Sequence, residues 1–265
     1  MHIRKKKWAR PELNACAFYT EEGEKRKGSW RMYFAHPDRP LHLEMGCGKG
    51  VSTARMVADN PGVNYVAVDI SRDVLGDARR NLVSACGEKP DNIWILSGDI
   101  CFAERWFDRQ DGPERIYISF CNPWSERPKH EKRRLTHPRQ LVQYRKMLSP
   151  GGEIWFKTDD DSLFRDSLVY FDLCGFEPVF LTENLAESGF SPNYISEHEA
   201  KYMALGVPIK FGIFRMGEPG PDFDPTRFRL TPGVRKEGLE RVKARWERRS
   251  RTGQEQEGEK SSCEA

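Results

Sequence analysis

The sequence predicts an α/β fold in which a mostly parallel sheet is covered by helices on both faces. From residue 41 onward, short apolar runs alternate with amphipathic stretches, which is the βαβ pattern of such a sheet. The 265 residues are 38% hydrophobic and 31% charged, so the chain can bury one substantial core beneath a charged surface. No apolar run approaches the ~18 residues that a membrane span needs, and no apolar stretch follows the basic first residues. We therefore expect neither an integral membrane protein nor a secreted one.

Seven strands and six helices are predicted in alternation. The pair Gly151-Gly152 enters the fifth strand from a turn, and Gly175 is placed to end the helix before the sixth. The predicted strands span 41–45, 63–69, 92–97, 115–120, 151–157, 176–181 and 207–215. The predicted helices span 50–59, 71–85, 101–108, 137–148, 160–174 and 195–205.

Apolar residues recur at helical spacing within three of these helices. Such a stripe on one face is typical of a helix that packs against a sheet. The stripes are Leu75, Ala78 and Leu82; Leu141, Tyr144 and Leu148; and Phe164, Leu168 and Phe171.

The chain divides into three predicted segments. Residues 1–40 are basic and interrupted by prolines and glycines, so we expect an irregular basic arm. Residues 41–215 form the predicted domain. Residues 216–265 are a charged extension that contains proline and glycine, in which 234–250 can form a helix and the remainder is partly disordered.

The seven cysteines are scattered and include no Cys-x-x-Cys pair. An odd number without zinc-like spacing is typical of reduced thiols in a cytoplasmic protein. We therefore expect a cytoplasmic location and no metal site. The sequence leaves open whether the protein is a monomer or a homodimer.

A glycine-rich turn follows the first strand of the domain. Gly46, Gly48 and Gly50 alternate with other residues, and small residues there let the backbone approach a ligand. The spacing matches neither a dinucleotide site nor a phosphate-binding loop. Glu44, just before the glycines, would repel a pyrophosphate but suits a cationic ligand. S-adenosyl-L-methionine, with its sulfonium and ammonium groups, is such a ligand, and we predict that Glu44, Gly46 and Gly48 bind it.

Acidic residues end the next two strands. Asp69 is placed to accept hydrogen bonds from both ribose hydroxyls of a nucleoside. Asp99 is placed to accept one from the exocyclic amine of adenine. Together with the glycine turn, these carboxylates indicate an S-adenosyl-L-methionine-dependent methyltransferase of class I.

The fourth strand leaves the sheet through Asn122-Pro123-Trp124 and continues into a basic loop. Residues 126–139 carry six basic side chains and two acidic ones. Such side chains beside a cofactor crevice can hold the phosphates of a nucleic acid. A charge run by itself is usually only a solvated surface, but its position and the basic first segment favour RNA binding.

These motifs together resemble the bacterial tRNA (guanine-N7-)-methyltransferases, over about residues 8–214. The resemblance rests on the Glu44 glycine turn, Asn122-Pro-Trp with the His130–Leu135 block, Lys157-Thr-Asp159 and Ser196–Glu199. It implies a Rossmann-like class I methyltransferase fold whose last strand is antiparallel. It also implies methylation of a guanine in the tRNA variable loop, with tRNA as the partner.

The resemblance also implies roles for individual residues. Asn122 falls where the family contacts the cofactor and usually has Asp, and we predict that it is the catalytic residue. Asp159 and the stretch Ser196–Glu199 fall where the family contacts the substrate; Asp159, and Ser196 with Glu199 as a capping box, could equally serve to cap helices. The counterpart of a substrate-contacting lysine is either Arg127 or Lys129, because the loop is one residue longer here. Glu44, Asp69 and Asp99 fall at the family's cofactor contacts.

The chemistry of guanine N7 places few demands on the enzyme. N7 has an available lone pair and no proton, so attack on a sulfonium methyl needs alignment rather than a general base. An amide at position 122 can orient the reactants but cannot balance the positive charge of the methylated ring. Two alternatives remain: a methyltransferase acting on another RNA or a small molecule, and a non-catalytic tRNA-binding relative.

Overall fold

The computed structural model describes residues 5–125, 128–218, 224 and 229–263, and for 128, 129 and 250–263 it describes the backbone alone. Eight strands and seven α-helices are present in these ranges. The strands are β1 (Tyr19–Thr20), β2 (Leu41–Met45), β3 (Asn64–Asp69), β4 (Ile93–Ser97), β5 (Pro113–Ser119), β6 (Glu153–Thr158), β7 (Phe176–Thr182) and β8 (Lys210–Met216). The helices are α1 (Ala9–Asn14), α2 (Val51–Asp59), α3 (Arg72–Cys86), α4 (Pro138–Met147), α5 (Asp161–Leu173), α6 (Glu197–Ala204) and α7 (Pro232–Cys263).

All strands belong to one sheet, with the order β1-β4-β3-β2-β5-β6-β8-β7. β8 runs antiparallel to both of its neighbours, β6 and β7. The other pairs are parallel. The predicted α/β fold with an antiparallel last strand is confirmed. The carboxyl ends of β2, β3, β4, β5 and β6 therefore meet at one edge of the sheet, where ligands bind in folds of this kind.

Two details of the prediction are wrong. The sheet has eight strands rather than seven, because Tyr19–Thr20 pairs with Ile95 and Leu96 at the edge of β4. A two-residue strand in a segment broken by glycine and proline has no alternation from which it could be predicted. The helix predicted at 101–108 is a 3₁₀ helix over Ile100–Arg105.

The two faces of the sheet have separate apolar cores. Alternate residues of β2, such as Leu43, pack with Tyr144 of α4 and Phe171 of α5. On the opposite face, β3 and β4 pack against α2 and α3, for example Tyr65 against Leu75. This division follows from the alternation of side chains along each strand.

Residues 5–40 pack onto the domain rather than project from it. α1 packs against α3, and Glu12 of α1 accepts hydrogen bonds from Arg80. The Trp30 side chain is fully buried, and its Nε1 donates to the carbonyl of Trp106 at 2.8 Å. Trp30 therefore serves in packing, as do the buried Phe18 and Phe34.

α7 begins near the predicted 234 and is longer than the predicted 234–250. It packs against α5 and β7, with the Trp246 ring at an edge-on angle to Phe180. In the described ranges, no helix combines the length and the apolar character needed to cross a bilayer.

Candidate active site

The glycine turn has the backbone shape that its residues predict. Gly46, Gly48 and Gly50 all have positive φ angles, of 90°, 56° and 66°. Residues other than glycine rarely adopt such angles. The turn is fixed to β3, because the amides of Gly46 and Cys47 both donate to the carbonyl of Val68, at 2.9 and 3.0 Å. A Cβ at Gly48 would meet nothing within 4 Å, so this glycine faces open space.

Glu44 is a buried carboxyl group at the end of β2. Its Oε2 accepts a 2.6 Å hydrogen bond from the hydroxyl of Thr53 in α2. Burial raises its pKa to about 7, and the Thr53 hydrogen bond and the nearby Lys157 only partly oppose this. An opposite charge brought into this site would favour the ionised form.

Asp69 joins the end of β3 to the glycine turn. Its Oδ2 accepts from the amide of Gly48 at 3.0 Å and its Oδ1 from the amide of Ser71 at 2.9 Å. Burial raises its pKa, and these backbone hydrogen bonds oppose the rise. Glu44, Gly46, Gly48 and Asp69 are therefore brought together as the sequence predicted.

Asp99 lies beyond the end of β4, the strand next to β3. Its Oδ1 accepts from the amide of Cys101 at 3.0 Å and so caps the 3₁₀ helix that follows. Ser97 of β4 lies directly opposite Asp69 of β3, and Asp99 comes two residues after Ser97. The structure places it at the same edge of the sheet as the glycine turn.

Asn122 is exposed in the turn that follows β5. Its Oδ1 accepts a 3.0 Å hydrogen bond from the amide of Trp124. Phe120 and Trp124, on either side, have φ angles of 53° and 48°, which are unusual for bulky residues. Each such residue costs on the order of 1–3 kcal/mol, and such strain is concentrated at functional sites. The turn therefore depends on its surroundings to keep its shape.

A buried ion pair joins Lys157 to Glu199, one of the predicted substrate-binding residues. Nζ of Lys157, in β6, is 3.2 Å from Oε2 of Glu199, whose side chain is 1% exposed. Asn193 donates to the other Glu199 oxygen at 2.8 Å and also accepts a hydrogen bond from Lys157. Burial lowers the pKa of Lys157, and Glu199 opposes this change. No individual role for Lys157 could be predicted from the sequence, because a pairing across 42 residues has no local signal.

Ser196 and Glu199 form the capping box that their spacing predicts at the start of α6. The hydroxyl of Ser196 accepts from the amide of Glu199 at 3.1 Å, and the Glu199 carboxylate accepts from the amide of Ser196. Both residues are therefore engaged in holding α6, and Glu199 also holds Lys157.

Asp159 follows β6 and contacts an aromatic stack. Its Oδ1 is 3.1 Å from Nε2 of His198. The His198 ring lies between Phe120 and Tyr202, with ring centroids 4.7 and 4.4 Å away. His198 is partly exposed, and no pattern in the sequence predicts a separate role for it. A carboxylate, an imidazole and flat rings thus meet beside the turn that carries Asn122.

The basic loop divides into exposed and buried residues. Arg127 lies outside the described residues, as does the side chain of Lys129, so their predicted substrate contacts remain predictions. Lys132 and Arg133 are exposed, and the Arg133 guanidinium lies 5.1 Å from the Trp124 ring centroid. Arg134 is buried, so it is not among the basic side chains of this loop that can contact a nucleic acid directly.

A cavity of about 390 Å³ continues from this region along the sheet face next to α2. Glu44 and Lys157 line its end near the glycine turn, and aromatic side chains line its walls. Tyr194 closes one side by a 2.8 Å hydrogen bond from Asn60 of α2 to its hydroxyl. Of the predicted site residues, Glu44 alone lines this cavity. Among the described residues, no group of three or more His, Cys, Asp or Glu side chains is arranged to hold a metal ion.

The chain is similar to known proteins over most of its length. A family model with the description "Putative methyltransferase" matches residues 38–211. A tRNA (guanine-N(7)-)-methyltransferase of Clostridium perfringens is 47% identical over 216 residues, which are 80% of this chain and 98% of the relative. One from Ruminiclostridium cellulolyticum is 46% identical over 217 residues, covering 80% and 91%. The chain therefore belongs to the family of tRNA (guanine-N(7)-)-methyltransferases.

Proposed function

We propose that this enzyme transfers a methyl group from S-adenosyl-L-methionine to N7 of a guanine in the variable loop of tRNA. The observation that carries the proposal is the meeting of buried carboxyl groups, a glycine turn and the Asn122 turn at one edge of the sheet. Membership of the family supports the choice of tRNA and of N7.

The residues at the glycine turn fit the methyl donor. Gly48 lacks a side chain where one would project into open space, so a ligand can lie against the backbone. Glu44 and Asp69 provide two carboxyl groups whose burial raises their pKa, a penalty that a cationic ligand relieves. When bound, S-adenosyl-L-methionine supplies an electrophilic methyl group on a sulfonium.

The residues around Asn122 are suited to hold the guanine in line with that methyl group. Its Oδ1 accepts from the Trp124 amide, and its Nδ2, which has no hydrogen-bond partner among the described residues, can donate to a base or cofactor atom. Asp159 carries a carboxylate that can accept hydrogen bonds from N1–H and the 2-amino group of guanine, and adenine has no donor at either of these positions. N7 needs no deprotonation, so alignment and the exclusion of water can supply most of the rate enhancement.

In this proposal Glu199 positions other residues and does not contact the base. Its carboxylate is buried and bound by Lys157 and Asn193, so a direct contact with a base would require these partners to move. The geometry therefore supports Glu199 as a positioning residue for Lys157 and α6, and Ser196 as its cap. Direct contact with the base falls to Asp159 and its neighbour His198.

The tRNA would be held by phosphate contacts around the crevice. Lys132 and Arg133 are exposed at its lip, and a guanine must leave its stack to reach the pocket, a cost that such contacts help to offset. Since tRNA is the substrate, we place the enzyme in the cytoplasm.

The proposal is tested by incubating unmodified tRNA transcripts with the enzyme and S-adenosyl-L-methionine, followed by nuclease digestion and mass spectrometry. We expect one added methyl group on a guanine of the variable loop, at N7. A methyl group on another nucleotide would indicate a different RNA specificity. Tight tRNA binding without methyl transfer would indicate a non-catalytic relative. Either result would overturn the proposal.

A further inference from the structure

Three arginines of α7 pair with two buried aspartates of α5. Nε of Arg235 is 2.7 Å from Oδ1 of Asp166, while Arg241 and Arg245 lie 2.9 and 3.1 Å from the oxygens of Asp172. The family model ends at residue 211, so α7 lies outside the part of the chain that defines the family. The basic residues on this side of α7 hold the helix to the domain.

Asp166 has a second cationic partner inside the protein. Its other oxygen, Oδ2, accepts a 2.8 Å hydrogen bond from NH1 of Arg134, and both side chains are only 2% exposed. The carboxylate therefore bridges two guanidinium groups, one oxygen each. Charge-assisted hydrogen bonds in a buried setting are among the stronger polar contacts in proteins.

Arg134 in turn holds the turn that follows β5. Its Nε donates to the carbonyl of Pro123 at 2.6 Å, and Pro123 directly follows Asn122. This turn contains the two left-handed residues Phe120 and Trp124, so external contacts must fix its shape. A continuous set of polar contacts thus runs from α7 to the residue beside Asn122.

We propose that Arg235 is a positioning residue for methyl transfer, acting through Asp166 and Arg134 on the Pro123 carbonyl and so on Asn122. This rests on the proposed function, in which Asn122 orients the reactants. With both oxygens bound, the Asp166 carboxylate has a fixed orientation. Without Arg235, water reaches Oδ1, and the carboxylate can rotate to bind Arg134 through both oxygens. That rotation draws the Arg134 guanidinium away from Pro123 and loosens the turn.

The test compares Arg235→Ala with Arg241→Ala, a matched variant. Both side chains are about equally exposed, at 40% and 44%, and both pair with a buried aspartate of α5, but Asp172 has no contact with Arg134 among the described residues. For Arg235→Ala we expect the single-turnover rate of methyl transfer to fall about three- to tenfold, with little change in the KM for tRNA. We also expect faster amide hydrogen exchange in a peptide covering residues 118–125. Arg235→Lys, which keeps the charge, should restore part of the single-turnover rate and part of the protection of residues 118–125 from exchange.

Two outcomes would overturn the proposal. One is an equal effect of both alanine variants on rate and exchange, which would mean that the arginines only attach α7. The other is unchanged exchange at 118–125 in Arg235→Ala. If the unaltered enzyme fails to methylate guanine, the proposed function fails, but the exchange comparison still decides whether Arg235 holds the turn.

Discussion

The hydroxyl of Thr53 donates a 2.6 Å hydrogen bond to a Glu44 carboxyl group that is buried at the end of β2. This one contact does not compensate for burial, so the pKa of Glu44 is raised to about 7. A carboxyl group in this state costs stability when ionised and is stabilised by a cationic ligand. Residues that cost stability in the free protein are common at functional sites.

Donor binding should therefore depend on pH through Glu44. Below pH 7 the free enzyme carries a proton on Glu44, and a cationic donor must displace it. We expect the affinity for S-adenosyl-L-methionine to fall by up to about tenfold per unit as pH is lowered from 7.5 to 5.5. Calorimetry in buffers of different ionisation enthalpy should show proton release at pH 6. Glu44→Gln should bind weakly with no such pH dependence; an identical pH profile in this variant would contradict the assignment.

The same residue predicts an effect on stability. Since the pKa of Glu44 is higher in the folded protein than its usual 4.5, its contribution to stability is present below pH 4.5 and is lost as pH rises through 7. This difference in pKa between the folded and unfolded states corresponds to at most about 3 kcal/mol of unfolding free energy. Glu44→Gln should therefore be more stable than the unaltered protein at pH 8 and not at pH 4.5, measured by urea unfolding without ligand. If Glu44→Gln gained the same unfolding free energy at pH 8 and at pH 4.5, the ionisation of Glu44 could not be the cause.

Substitutions at Asn122 should separate the shape of the turn from its charge. Asn122→Asp keeps the oxygen that accepts from the Trp124 amide and adds a charge that balances the methylated ring, so we expect kcat to be unchanged or higher. Asn122→Ala removes that oxygen, and kcat should fall about tenfold or more. Steady-state kinetics on tRNA, with circular dichroism as a check on folding, measures both. A collapse of kcat in the folded Asp variant would show that this enzyme requires the amide.

Asp159 should act on tRNA recognition and not on the methyl donor. Asp159→Ala removes a charged hydrogen-bond acceptor, and losses of this kind amount to about 1.5–3 kcal/mol. We therefore expect the KM for tRNA to rise about tenfold or more, with donor affinity within about twofold. Asp161→Ala is the control, since Asp161 is an exposed carboxylate two residues away that pairs with Lys210. Equal losses of tRNA and donor affinity would contradict the role of Asp159.

Two glycines of the turn should respond differently to alanine. A Cβ at Gly50 would lie 2.9 Å from the Cβ of Ala78, so α2 or α3 would have to shift. Gly50→Ala should lose about 1–3 kcal/mol of unfolding free energy. Gly48→Ala should lose about 1 kcal/mol of unfolding free energy, because alanine is strained at the positive φ of this position. The added Cβ would also occupy the crevice, so we expect a larger loss of donor affinity than of stability. Equal donor affinity in Gly48→Ala and the unaltered enzyme would place the donor elsewhere.

Local patterns in the sequence were sufficient to predict most of the fold. The strand Leu41–Met45 was predicted with its observed bounds, and the capping box Ser196–Glu199 depends only on residues three apart. Contacts between distant residues could not be predicted in this way. Lys157 meets Glu199, and Arg134 meets Asp166, across more than thirty residues, and no single-sequence pattern identifies such pairs.

Arg134 shows why a basic run in the sequence does not predict which of its side chains are exposed. In the sequence it is one of three consecutive basic residues in a charged loop, which favours exposure to a nucleic acid. In the structure its neighbours Lys132 and Arg133 remain exposed, while Arg134 turns inward because Asp166 and the Pro123 carbonyl satisfy its charge and hydrogen bonds. Charge alone does not decide burial when a partner is available.

One of the two edge strands of the sheet, Tyr19–Thr20, has only two residues. A free strand edge offers unpaired amides and carbonyls on which a second molecule can add its own strand. By covering β4 with so short a partner, the chain leaves almost no template for intermolecular pairing on that side. The early segment of the protein thus limits edge-to-edge pairing of two molecules through β4, independently of anything that it contributes to chemistry.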